Sequence, residues 1–240
     1  MSESRYVDGG YADANPGWHE EDAEWKAQRI ASLLREQDRL PSRLCDIGCG
    51  TGGVIAALQS EFPSVAMVGY EISPQAAALA RTRHPTTDIR EQDVFLSGEH
   101  FDLVMLIDVF EHVEDYIGFL RRAALMADQL LLHIPLDMSV VNVWRDGRLI
   151  AKRGDVGHLH YFSEMTALAT LELAGLEVVA SRFTSIEAEV RQTRGKERVL
   201  QQAMRAGYRV NASWTARILG GGSLLVLARP LIQAEGTEGV

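Results

Sequence analysis

Seven short apolar runs punctuate the chain, and segments with helical spacing fill the gaps between them. The runs cover Arg43 to Ile47, Val65 to Tyr70, Asp88 to Arg90, Phe101 to Ile107, Gln129 to Ile134, Leu176 to Phe183 and Ser223 to Ala228. Each predicts a strand. Ser73-Pro74 offers an N-cap and a proline at the first helical position ahead of a helix over Ala76 to Arg83. Ser163-Glu164 opens another helix, which Gly175 closes. This alternation predicts an α/β fold, a seven-stranded, Rossmann-like, mostly parallel sheet with helices on both faces. Ligands of such sheets bind beyond the carboxyl ends of the strands.

Ahead of the first strand, residues 1–40 open with a polar Gly/Asn/Pro stretch. From about Glu21 to Leu34 they then place Trp25, Ile30, Leu33 and Leu34 on one helical face. This predicts a helical cap before a main domain over residues 41–230. Two stretches break the rhythm of that domain. Leu136 to Tyr161 reads as a long connection at the ligand end, where long loops are commonly functional. Residues 187–222 read as an insertion at one edge of the sheet, with Arg191, Arg194, Lys196, Arg198, Arg205, Arg209 and Arg217 on a helix that also carries Val199, Leu200, Met204, Tyr208 and Trp214. Residues 231–240 read as a frayed tail.

A net charge of −9 argues against a general nucleic-acid binder, which needs a basic face. Cys45 and Cys49 have no second pair to complete a zinc site, no secretory signal precedes them, and they read as reduced packing residues. No apolar run approaches the roughly 20 residues that span a bilayer. The expected compartment is the cytoplasm.

The chemistry concentrates where the first strand ends, in Asp46-Ile47-Gly48-Cys49-Gly50-Thr51-Gly52-Gly53. Glycines there let a ligand approach the main chain, and the following helix offers unpaired amides. Gly48-x-Gly50-x-x-Gly53 also fits a dinucleotide, so the neighbouring acids decide. Asp46 would repel a pyrophosphate and attract the ammonium of a methionine-like cofactor. Glu71, about 20 residues further on at the end of the second strand, suits two ribose hydroxyls. Asp93, at the end of the third, suits an exocyclic adenine amine, or serves as a loop acid or helix cap.

With these acids and the run Ile107-Asp108-Val109-Phe110-Glu111-His112-Val113-Glu114-Asp115, residues 42–185 resemble the class I S-adenosylmethionine-dependent methyltransferases, in particular the ubiquinone-biosynthesis-type small-molecule enzymes. Gly157-His158-Leu159-His160-Tyr161-Phe162-Ser163 is similar to a segment of the same group. The resemblance implies that Gly48 and Gly50 line the methionyl and ribose portions of S-adenosylmethionine, that Glu71 and Ile72 flank the ribose, and that Asp93 and Val94 hold the adenine. It implies that the Ile107 carbonyl, beside Asp108, meets the amino group, and that Lys26 reaches the carboxylate unless it is a solvated helix lysine. Two departures stand out. Met126-Ala127-Asp128 replaces the family's Pro-Gly-Gly, and no Pro-Pro-Tyr/Trp follows the fourth strand, which disfavours nucleobase and amide nitrogens as acceptors.

His112 lies where the methyl group should emerge and suits a general base, or else packs against a neighbouring helix. Some quinone-type relatives hold a divalent ion on this segment, and Asp108, Glu111 and His112 offer hard ligands; the residues alone assign no metal. His158 and His160 alternate, so only one of them should face the pocket as a further candidate base. Trp18-His19 could close over the substrate or anchor the cap helix. The resulting expectation is methyl transfer to a small-molecule hydroxyl of a sugar, quinol or other natural product. The alternatives are an NAD-dependent oxidoreductase and a non-catalytic S-adenosylmethionine-binding protein. The basic stretch from Arg191 to Arg217 is either a solvated face or a dock for an anionic acceptor or membrane surface.

Overall fold

The structure, a computed structural model, describes residues 17–18, 20–145, 147–189 and 196–231. A 3-10 turn, Glu20–Asp22, leads into α1 (Ala23–Leu34). There follow β1 (Arg43–Ile47), α2 (Gly53–Glu61), β2 (Ala66–Glu71), α3 (Pro74–Arg83), β3 (Asp88–Glu91), β4 (Phe101–Ile107), α4 (Tyr116–Ala124) and β5 (Ala127–Pro135). The second half adds α5 (Val140–Trp144), α6 (Arg148–Asp155), α7 (Glu164–Leu173), β6 (Leu176–Thr184), α8 (Ile186–Glu189), α9 (Lys196–Val210), α10 (Ala212–Ile218) and β7 (Ser223–Pro230). The strand order is β3-β2-β1-β4-β5-β7-β6, and only β7 runs antiparallel to its neighbours. All seven predicted strands are present. The order reverses between β1 and β4, which opens a crevice at their carboxyl ends.

Both sheet faces are covered, so the middle of the central strands is apolar on both sides, as in Leu103 to Ile107 of β4 and Leu130 to Leu132 of β5. On β4, Leu103 and Met105 face one core and Val104 and Leu106 the other. The first core is closed by Leu120 and Ala123 of α4 and Ala167 and Leu171 of α7. The second is closed by α2, α3 and α1, whose Ala27, Ile30, Leu33 and Leu34 are buried among Leu44, Ile55 and Leu58. The helix predicted as a cap is thus one wall of the core.

Three local features bear on the site. Ser73 caps α3 as its sequence predicts, and Ser163 and Thr166 form a reciprocal capping box on α7. The turn into β5 closes without proline or glycine, because Met126 N bonds to Ala123 O while Met126 O accepts from Phe101 N. The connection after β5 is not irregular: it holds α5, capped by Ser139, and α6, which starts after Gly147 at φ 80°. Helices of 5 and 8 residues are too short for their periodicity to register in the sequence.

The insertion joins β6 and β7, the last two strands at one edge of the sheet, as expected. Since β7 is antiparallel to both β5 and β6, the insertion leaves and re-enters the sheet at the carboxyl end of β5. It therefore sits at the ligand end of that edge. Arg191 and Arg194 lie outside the described residues.

Candidate active site

The strand ends and their connections enclose a cavity of about 1270 Å³. At one end the chain leaves β1 through Gly48, Gly50 and Gly52, with φ of 70°, 56° and 80°. A Cβ on Gly48 would come 3.0 Å from Val109 Cγ2, so backbone conformation and crowding both require glycine. The buried Glu71 braces this turn, accepting from Gly50 N at 2.9 Å and from Ser73 N at 2.7 Å. Burial pushes its pKa up while those amides hold it down. Each of its oxygens retains a second lone pair for a ligand. Asp93 caps the Val94–Leu96 turn by accepting from Phe95 N at 2.9 Å, and it lines the cavity as well. Asp46 lines it too, buried, with Oδ1 lacking a hydrogen-bond partner among the described residues. Burial, and then repulsion from Glu71, pushes its pKa up to about 8.

On the α1 side a buried ionic chain crosses the cavity wall. Lys26 Nζ lies 2.7 Å from Asp108 Oδ2, Asp108 Oδ1 lies 2.6 Å from His133 Nδ1, and His133 Nε2 lies 3.0 Å from Thr184 Oγ1. Against the upward push of burial, His133 and Lys26 hold the Asp108 carboxyl far below its ordinary range. They also anchor a non-glycine residue at φ 55°. Lys26 in turn keeps its charge, because Asp108 outweighs its desolvation. Glu20 bonds to Thr51 Oγ1 and to His84 Nε2 at 2.9 Å, fastening the turn before α1 onto the glycine loop. Trp18 lines the cavity beside it; His19 lies outside the described residues.

The far end is built from three connections. Asp137, two residues beyond β5, is buried and lies 2.5 Å from His158 Nδ1 through Oδ2, while its Oδ1 accepts from Lys152 of α6. Despite burial, His158 and Lys152 hold its pKa below the ordinary value. The His158 ring meets His112 edge-on, with centroids 4.9 Å apart. Behind them Glu111 is 1% exposed, and neither carboxylate oxygen has a hydrogen-bond partner among the described residues. Burial, then Asp108, raises its pKa well above the ordinary value. One ligand atom each from Glu111, His112 and His158 falls within 4.8 Å of the others, the arrangement a cation would need.

Of the residues singled out from sequence, Lys26, Asp46, Gly48, Gly50, Glu71, Ile72, Asp93, Val94, Ile107, Asp108, His112 and His158 all line this one cavity. His160 does not: it is bonded to Val113 O at 2.9 Å and packed on Tyr116, with ring centroids 4.2 Å apart. Asp108 is committed to Lys26 and His133, so the ligand-like cluster replaces it with His158. Sequence reasoning missed His133, Asp137 and Lys152. His133 is the one polar residue in Leu130-Leu131-Leu132-His133-Ile134, an interruption that signals a partner. Asp137 follows the end of a strand, as Asp93 and Asp108 do, and the same rule would have flagged it.

The chain is 32% identical over 93 residues to a ubiquinone biosynthesis O-methyltransferase of Azorhizobium caulinodans, covering 36% of each protein. It is 27% identical over 106 residues to norajmaline N-methyltransferase of Rauvolfia serpentina, covering 40% of this chain and 36% of that one. It therefore spans about a third of the length of these curated relatives. The magnesium protoporphyrin IX methyltransferase of Synechocystis PCC 6803, solved with bound S-adenosylmethionine, shares the fold with a TM-score of 0.55 at 16% identity, over 86% of this chain and 79% of that one. A methyltransferase-domain family model matches residues 18–181, more than half of the sequence. Together with the seven-stranded sheet, that match shows that the chain belongs to the class I S-adenosylmethionine-dependent methyltransferases.

Proposed function

We propose that the protein methylates a hydroxyl of a small-molecule acceptor, and that His158, oriented by Asp137, is the general base. The observation that carries this reading is the buried Asp137 carboxylate 2.5 Å from His158 Nδ1 at the cavity wall. An ionised carboxylate only accepts, so Nδ1 carries the proton and Nε2 keeps the lone pair that can take one from a hydroxyl. Asp137 also stabilises the imidazolium that forms, as the acid of a catalytic triad does. His112, against the same ring, limits the poses an acceptor can take.

The cofactor end fits S-adenosylmethionine by its donor set. Asp46 Oδ1 is a buried acceptor without a hydrogen-bond partner among the described residues, suited to an ammonium, and Glu71 and Asp93 offer carboxylates to ribose and adenine. The bound cofactor would supply an electrophilic methyl group. The residues at the other end need only align the nucleophile, exclude water and remove one proton.

One observation favours a second reading of the acceptor end. A buried carboxylate with no hydrogen-bond partner is costly, and Glu111 is one among the described residues, with His112 Nε2 3.9 Å from its Oε1 and His158 beside it. Glu111, His112 and His158 would hold a divalent cation, which when bound would lower the pKa of an acceptor hydroxyl.

Two measurements test these readings. Incubation with S-adenosylmethionine and a panel of hydroxylated and amine acceptors should give a mass gain of one methyl on a hydroxyl; methylation confined to amines would overturn the proposal. Magnesium or manganese should raise the unfolding temperature of the wild type but not of Glu111→Gln if a cation binds. An equal response in both removes the cation reading and leaves the base.

A further inference from the structure

The cavity rim carries apolar surface that the fold leaves uncovered. Between Met138 and Ile150, in α5, α6 and their approach, five large apolar side chains face solvent: Met138, Val140, Val143, Trp144 and Ile150, with Trp144 86% exposed. A tryptophan and aliphatic residues gathered on two short helices mark an interaction site rather than ordinary surface scatter. The segment belongs to the rim, because Lys152 and Val156 line the cavity. α5 also packs on α10, where Trp214 is 64% exposed.

Charge separates the partners this surface could take. Residues 138–155, through the end of α6, hold Arg145, Arg148, Lys152 and Arg153 against Asp146 and Asp155, in a chain of net charge −9. Residues 196–222 of the insertion repeat the bias, with Lys196, Arg198, Arg205, Arg209 and Arg217 against Glu197, although Glu187 and Glu189 precede them. Part of this charge is already used internally, since Arg205 donates to Ala188 O and Arg217 Nη2 lies 3.7 Å from Glu164. Arg145 and Arg153 are exposed beside the apolar residues. A second copy docking through the same face would set like charges against each other. An anionic surface that also accepts apolar side chains matches both properties, and tryptophan, valine and isoleucine framed by arginine is the composition of an interfacial membrane contact.

We propose that α5 and α6 dock the protein onto an anionic lipid surface, with Trp144 and Ile150 entering the interface and Arg145 and Arg153 meeting headgroups. The cavity mouth then lies at the lipid boundary. Resting on the methyltransferase reading, this makes the acceptor an amphiphile whose hydroxyl passes from the lipid layer to His158.

Co-sedimentation with phosphatidylglycerol-containing vesicles tests the docking separately from catalysis. The full chain should pellet with them at low salt, be released as salt rises, and stay in solution with pure phosphatidylcholine. Trp144→Ser/Ile150→Ser and Arg145→Glu/Arg153→Glu should each weaken partitioning by about tenfold or more, while unfolding temperature and adenosylhomocysteine affinity hold. The inference is overturned if the wild type stays in solution with both vesicles, if it binds both equally, or if the folded variants bind as the wild type does. It is equally overturned if sedimentation shows a dimer that the Trp144 variant breaks, which makes the occupant a second copy.

Discussion

Asp46, Gly48, Glu71 and Asp93 occupy the ends of three strands, and two of them are gripped by main chain: Glu71 by Gly50 N and Ser73 N, Asp93 by Phe95 N. Glu111, Asp137 and His158 come from three separate connections; Asp137 and His158 are held by side chains, with Asp137 divided between His158 and Lys152, while no side chain hydrogen-bonds the Glu111 carboxylate among the described residues. The cofactor end is thus fixed by backbone geometry that any sequence with the right glycines reproduces. The acceptor end depends on particular side chains carried by long connections. Such a division lets one end stay constant while the other is re-specialised.

The sharpest way to break this comparison is to damage one end and read the other. His158→Ala should lower turnover by roughly 10² to 10⁴, and calorimetry with adenosylhomocysteine should show unchanged affinity. Asp137→Asn should lose less turnover and shift the pH–rate profile, because the imidazole stays but its orienting charge goes. A fall in cofactor affinity in either folded variant would mean that the two ends are not separable. If His112→Ala loses that much turnover while His158→Ala loses little, the base is His112.

The converse perturbation is smaller. Glu71→Ala should weaken adenosylhomocysteine binding by about 1.5–3 kcal/mol, since charge-assisted hydrogen bonds to the ribose disappear along with the brace on Gly50 N. Turnover at saturating cofactor should stay close to wild type. Lost turnover at saturation would tie Glu71 to the chemistry as well as to binding.

The same division explains what could be read from the sequence. The strands declared themselves as apolar runs because both faces of each central strand are buried, and the acids at their ends followed from the rule for parallel sheets. The glycine turn was legible because its φ values demand glycine. At the acceptor end, nothing local to Asp137 points to His158, and nothing local to His112 distinguishes a ligand-like cluster from a packed ring. Of the alternating pair, spacing required only one to face inward, and Val113 O and Tyr116 hold His160 away. Asp108 looked like a metal ligand because its partners, Lys26 and His133, lie in α1 and β5, far off in sequence.

The smallest predicted effect concerns Asp46, whose buried Oδ1 has no hydrogen-bond partner among the described residues. Its pKa is raised from 3.8 to about 8 in the folded chain by burial and then by Glu71, so the folded state holds a proton that the unfolded state releases at lower pH. The associated stability is fully present below the unfolded carboxylate pKa and is lost as pH rises through about 8. The unfolding temperature of the ligand-free protein should therefore decline between mildly acidic and alkaline pH. Asp46→Asn should flatten the decline by about 2–4 °C, the shift that about 1 kcal/mol produces in a chain of this size. Glu71 and Glu111, whose pKa values are also raised, should leave a residual slope. Adenosylhomocysteine should remove the Asp46 part in the wild type, since its ammonium supplies the missing partner and favours the ionised carboxylate. If the ligand leaves the difference between wild type and Asp46→Asn untouched, the ammonium binds elsewhere, and the Ile107 carbonyl becomes its main partner.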